Sequence, residues 1–247
     1  MEYVYAVETG EQLAQYQCFA DRVRPVLDGY IAYLQKEFQV ADLPKTILWT
    51  SRRIATELLS DIPVPAYTNS HRIVMTCDLE AWQELYLSQL DGFSEAESAP
   101  IRHYYRHCLN HRHILQILGH ELAHHSEWFP EEAYDSGRGI WFEEGMVELI
   151  SRRYFLTEEE YALEAQINRQ LLALNCECVP LDAFGQATYQ EGYRSIFRAY
   201  WQSFLAVSQV VDSFGGDLRQ VFASYHRWYE TGSELSLEDW FRADVHK

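Results

Sequence analysis

The chain has 247 residues, 47% hydrophobic and 15% aromatic, with a formal net charge of −17. That supply of apolar side chains supports a real core and excludes both a disordered chain and a disulfide-stapled miniature. The acidic balance repels phosphate backbones and anionic bilayers, and no apolar run approaches the length of a membrane span, so neither nucleic acid nor a membrane is expected as a partner.

The first residues, Met1-Glu2-Tyr3-Val4-Tyr5, form neither a basic nor an apolar leader segment. Five cysteines at irregular spacing (Cys18, Cys77, Cys108, Cys176, Cys178) read as reduced, mostly buried thiols, and a cytoplasmic protein is expected. Over 11–38, Leu13, Tyr16, Phe19, Val23, Val26, Leu27, Tyr30 and Leu34 recur at helical spacing, with Pro25 expected to kink or divide the helix. Residues 45–50 predict a strand, Pro63 and Pro65 a loop, and 71–77 a second strand. A helix over about 80–90 and a polar linker, 91–95, follow.

Ser98-Ala99-Pro100 is a helix-start signal. From Ile101 to about Ser126 only Gly119 breaks the pattern, which predicts one helix of roughly 39 Å. Trp128-Phe129-Pro130 closes it, and a loop through 135–139 leads to a helix starting near Ile140. Beyond Thr157, whose pairing with Glu160 reads as a capping box, helices are expected over 158–174, 190–213, 216–230 and 236–243. The expectation is a single domain over 1–247 of α+β, α-rich class, with a small β-containing lobe over about 1–97 and a helical lobe over 98–247.

The chemistry gathers at Gly119-His120-Glu121-Leu122-Ala123-His124-His125, which contains H-E-x-x-H. Residues four apart lie one above the other on a helix, so His120 and His124 can aim two ring nitrogens at one metal ion, with Glu121 displaced beside them. The stretch Trp141-Phe142-Glu143-Glu144-Gly145-Met146-Val147-Glu148 supplies a third ligand in Glu144. Glu143 points about 100° away from it on a helix, so only one of the two is expected to face the ion. Glu148, one turn on, is placed to hydrogen-bond a ligating imidazole and fix its tautomer.

The other histidines read differently. His103, His107 and His111 form a stripe beside Arg102, Arg106 and Arg112, expected as a solvated face rather than a second metal site. His113 is a candidate to line the cleft, and His125 is turned away from the ligands. Cys176-Glu177-Cys178 lacks the second Cys/His pair a zinc finger needs. Gly119, costly in mid-helix, predicts close approach of another backbone.

His120-Glu121-Leu122-Ala123-His124 followed by Trp141-Phe142-Glu143-Glu144-Gly145 resembles the gluzincin metallopeptidases, the group that includes thermolysin and the aminopeptidase-N-like enzymes. The resemblance implies a zincin-like fold and one zinc ion per chain on His120, His124 and Glu144. It implies Glu121 as general base and Glu148 as the acid supporting an imidazole. Residues 199–205, followed by 214–218, resemble the helix after the zinc site in such families, which implies Tyr200 as donor to an oxyanion, with Tyr193 in reserve.

The implied activity is zinc-dependent hydrolysis of a peptide or protein substrate, its backbone paired to an exposed sheet edge at Ile73-Val74-Met75-Thr76. The rivals are a zinc hydrolase for other amides or esters, and a non-catalytic helical binding protein. No Gly-x-Met-Glu-Asn stretch supports aminopeptidase action, and only His226 is available as a counterpart to the catalytic histidine of thermolysin.

Overall fold

Four short strands, β1 (Glu2–Ala6), β2 (Thr46–Thr50), β3 (Ala66–Thr68) and β4 (Arg72–Met75), form a sheet of order β1-β2-β4-β3. β2 runs parallel to both β1 and β4, while β3 is antiparallel to β4. The computed structural model describes residues 1–60, 64–130, 137–175 and 179–245. The central strands are apolar on both faces, as covered parallel strands must be. Ile47, Trp49, Ile73 and Met75 enter the main core, while Leu48 and Val74 pack with Ala55 of α2 (Arg52–Glu57).

The main core lies under α1 (Gly10–Glu37), capped by Thr9 and buried along Tyr16, Phe19, Val23, Leu27, Tyr30 and Leu34. Contrary to expectation, α1 runs unbroken past Pro25. Pro25 and Asp21 are both exposed, so the carbonyl stranded by the missing N–H faces water rather than the core.

The long helix predicted from Ile101 is two helices. After α3 (Leu79–Ser88), α4 (Glu95–His107) starts at a Ser94–Glu97 capping box, earlier than Ser98, and Pro100 lies inside it. Asn110 then caps a new helix, α5 (His111–Ala123), accepting from the Arg112 amide at 2.8 Å. Its side chain competes with backbone bonding and ends the run. His111 therefore lies on a different helix from His103 and His107, and the predicted stripe is divided; its ring stacks on Phe19.

α6 (Ile140–Phe155) packs between α5 and α8 (Tyr193–Ser213). Almost every residue of α6 is buried. α7 (Glu158–Asn175) opens with the predicted Thr157–Glu160 box. Two 3-10 turns (Leu181–Ala183 and Gln186–Gln190) precede α8, and α9 (Leu218–Glu230) and α10 (Leu237–Asp244) follow it. One apolar cluster joins α1 and the sheet to α5, α6, α8, α9 and α10. The architecture is α+β and helix-rich with a small four-stranded sheet.

Two glycines set the spacing of these helices. A Cβ on Gly145 would run into the Ser203 carbonyl oxygen, so backbone-to-backbone approach occurs there, between α6 and α8. At Gly119, where a neighbouring backbone was expected, a Cβ would instead meet the rings of Phe155 at 2.5 Å and Tyr30 at 3.0 Å. Among the described residues Cys18 is exposed and Cys77 and Cys108 are half-buried, so the expectation of mostly buried thiols fails for these three. Cys176-Glu177-Cys178, Pro63 and the start of the loop over 135–139 lie outside the described residues. Among the described residues no helix is long and apolar enough to cross a membrane.

Candidate metal centre

α5 and α6 face each other across the site. α5 ends at its C-terminal turn with His120 and, at the cap, His124; α6 presents Glu143, Glu144 and Glu148. His120 Nε2 and His124 Nε2 lie 3.1 Å apart, and Glu144 Oε2 lies 3.3 Å from the first and 3.5 Å from the second. Among the described residues these three side chains form a group able to hold a metal ion, with one ligand atom each within 4.8 Å of one another.

The far side of each imidazole meets another carboxylate. His120 Nδ1 lies 2.7 Å from Glu148 Oε1, close in distance although not aligned as a hydrogen bond. His124 Nδ1 lies 3.3 Å from Glu143 Oε1. Glu148 therefore stands beside His120, on the side away from Glu144. Glu143 is the residue that spacing alone missed: facing away from Glu144 brings it to the outer nitrogen of His124. A neutral imidazole that keeps its proton on Nδ1, toward Glu148 or Glu143, presents its Nε2 lone pair on the side of Glu144.

The electrostatics follow from this packing. Burial opposes charge on His124, but Glu144 and then Glu143 outweigh it and hold its pKa well above the usual imidazole value. Burial likewise pushes Glu144 up, yet His124 and His120 bring it far below the usual carboxylate range. Glu121 goes the other way: burial raises its pKa, and the imidazoles beside it offset this only in part. A raised carboxyl beside a cation-ready cluster suits a group that accepts and returns a proton.

A cleft of about 470 Å³ lies over the cluster, and Glu121, Glu144, His125, Thr68, Tyr189 and Tyr200 belong to its wall. Tyr200 belongs to this wall, its ring centroid 5.7 Å from that of His120, and burial raises its phenol well above the usual value. Tyr189, on the second 3-10 turn, donates to Glu144 Oε1 at 2.9 Å and lies 3.0 Å from the Tyr200 hydroxyl. No sequence signal marked it: it is one of 17 tyrosines, in a segment without helical period. Tyr193 stands instead in an adjoining aromatic cavity.

The remaining histidines divide. His113 is tied into the α4–α5 junction by Tyr104 and the Asn110 amide. His125 is no part of the ligand cluster, but its Nε2 lies 2.8 Å from Thr68 Oγ1 and fastens β3 to the end of α5. His226 Nε2 sits 2.6 Å from the Trp128 carbonyl. The sheet edge also differs from expectation, because Ile73–Met75 lie in β4, paired on both sides; the edge beside the cleft is β3.

Comparison of the chain with family models, with curated proteins and with solved structures gives no significant match. The functional reading therefore rests on the site alone.

Proposed function

We propose that this chain is a single-zinc peptidase of gluzincin type with a zincin-like fold. The observation that carries the proposal is the triangle of His120 Nε2, His124 Nε2 and Glu144 Oε2, with sides of 3.1, 3.3 and 3.5 Å. Tetrahedral zinc with bonds of about 2.0–2.1 Å sets neighbouring ligands about 3.3–3.4 Å apart, so the three atoms already stand close to ligating positions. Glu144 Oε2 is buried without a hydrogen-bond partner. The cluster favours positive charge at this point, either as a proton on His124 facing the Glu144 carboxylate or as a metal ion that displaces that proton.

Bound zinc supplies a Lewis acid and lowers the pKa of water in the site. Glu121, buried beside the cluster and reluctant to ionise, takes a proton from the attacking water and returns it to the leaving amine. The Tyr200 hydroxyl, whose proton goes to Tyr189 while Tyr189 donates to Glu144, turns to donate to the oxygen that gains charge. The chain of the substrate lies along β3, whose free edge faces the cleft, as an added strand. A site built only for structure usually closes its fourth position with Cys or His; the cluster stops at three ligands among the described residues.

The deciding experiment digests a mixed peptide library with zinc-loaded wild type and with Glu121→Gln. The proposal expects peptide cleavage by wild type only, at unchanged zinc content of about one per chain. Cleavage of esters alone favours the wider hydrolase class, and equal activity of the two proteins removes the mechanism.

A further inference from the structure

A second cavity, of about 90 Å³, adjoins the cleft beside Glu121: His120, Glu121, Ala66 and Tyr200 belong to the walls of both. Its other walls are largely aromatic, with Trp82, Tyr86, Tyr105, Phe197 and Trp201. Set among these rings are Gln116, Arg152, Glu164 and Asn168, each at most 9% exposed. From the geometry we infer that this cavity is a specificity pocket that takes an asparagine-sized carboxamide side chain next to the bond to be cut. The inference rests on the peptidase reading above and adds the class of substrate.

Size comes first. A cavity of about 150 Å³ admits benzene, so one of about 90 Å³ takes a side chain of four heavy atoms and rejects an aromatic ring. Charge comes next. Arg152 is held by Glu148 and by both oxygens of Glu164, at 3.0 and 3.3 Å, so the pocket's charges are already paired. A carboxylate guest would meet Glu121 and Glu148, and an ammonium would have to displace Arg152 from its partners.

Two of the buried polar side chains in this wall are amides. Gln116 Nε2 donates to Ser151 Oγ at 3.3 Å, whereas the Nδ2 of Asn168 is buried with no hydrogen-bond partner. The last torsion of an asparagine is soft, so that nitrogen can turn to an acceptor in the cavity. A guest carboxamide supplies that acceptor, and its own N–H groups have Gln116 and Glu164 as acceptors. An isosteric leucine leaves Asn168 unpaired, and a site with a buried unmatched donor discriminates strongly against such a guest.

The test uses blocked alanine octapeptides carrying one guest residue (Asn, Leu, Asp or Phe) at each position in turn, with cleavage sites read by mass spectrometry. Zinc-loaded wild type is expected to cut next to Asn about 10–100-fold faster than next to Leu at one flanking position, with Asp and Phe poorest. Asn168→Leu is expected to bring the Asn/Leu ratio to one or below. Should that variant not fold, Ile117→Phe, which narrows the pocket from α5, is expected to erase the preference by exclusion. Cleavage with an even Asn/Leu profile, or a ratio that survives the substitution, overturns the pocket and leaves the peptidase intact. Absence of any cleavage by a wild type carrying its zinc overturns the peptidase reading, and the pocket with it.

Discussion

Glu148 Oε1 stands 2.7 Å from the Nδ1 of His120, and Glu148 is itself held from the next turn of α6 by Arg152. Arg152 spreads over Phe204, its guanidinium carbon 4.5 Å from the ring centroid, and binds Glu164 of α7 through two nitrogens. A line of buried charges thus runs from an imidazole of the candidate metal cluster to a helix outside it. Glu143 performs the matching task for His124, so α6 supplies one carboxylate to the cluster and one to the back of each histidine.

Removing either supporting carboxylate is expected to weaken metal binding while the three ligands remain. Outer partners of a ligating histidine commonly contribute about 10–100-fold in metal affinity. Glu148→Ala and Glu143→Ala are expected to fall in that range by competition with a chelator of known affinity. Arg152→Met is the harsher change, because it leaves Glu148 and Glu164 buried and unpaired. A loss of about 3–5 kcal/mol in urea unfolding is expected, with weaker metal binding alongside.

Gly145→Ala tests the packing of α6 on α8. The new methyl would strike the Ser203 carbonyl, which is backbone and cannot turn aside, and Val207 lies just beyond it. The helix propensity gain of about 1 kcal/mol is expected to be outweighed by overpacking of about 1–3 kcal/mol or more. Thermal unfolding measures the net effect. A variant as stable as wild type would mean that the two helices are not fixed at this spacing.

The Thr157–Glu160 box gives a pH signature away from the candidate metal site. Burial works against ionisation of Glu160, but the Thr157 amide, the Asn110 side chain and Arg112 outweigh it, so the folded carboxyl lies below its usual value. A depressed carboxyl stabilises the fold above its unfolded pKa of about 4.3, and that contribution disappears as pH falls through the folded value. Glu160→Gln is therefore expected to cost about 1 kcal/mol near neutrality and progressively less in acid. Urea midpoints for both proteins across the acid range would show the two curves converging. A constant gap would assign the stabilisation to shape rather than charge.

The parts legible in the sequence are those that a helix repeats. His120, His124, Glu144 and Glu148 sit at offsets that one turn brings together, and the Thr157–Glu160 cap is a local pattern. What escaped depends on contacts distant in the chain. Tyr189 reaches Glu144 from a 3-10 turn, and β1 pairs with β2 more than forty residues on. β3 has only three residues, too few to display alternation, yet it forms the edge beside the cleft. The division at Asn110 was visible only as a residue type, because the apolar spacing continues across it.

Metal removal gives the most direct thermodynamic test. A ligand that binds only the folded chain stabilises it by about 2.7 kcal/mol at one hundred times its dissociation constant, or about 5–11 °C in Tm for a chain of this size. Titrating zinc into chelator-treated protein is expected to raise Tm by that amount. Glu144→Gln and His124→Ala are expected to abolish the rise. In metal-free protein near neutral pH Glu144→Gln is expected to lower Tm, because it removes the carboxylate that faces the charged His124 ring. Stability lost without metal and regained with it is the mark of a site kept for binding rather than for packing. The same zinc-dependent rise in wild type and Glu144→Gln would place the ion elsewhere, with the exposed pair His103 and His107, whose rings lie 4.9 Å apart, the first place to look.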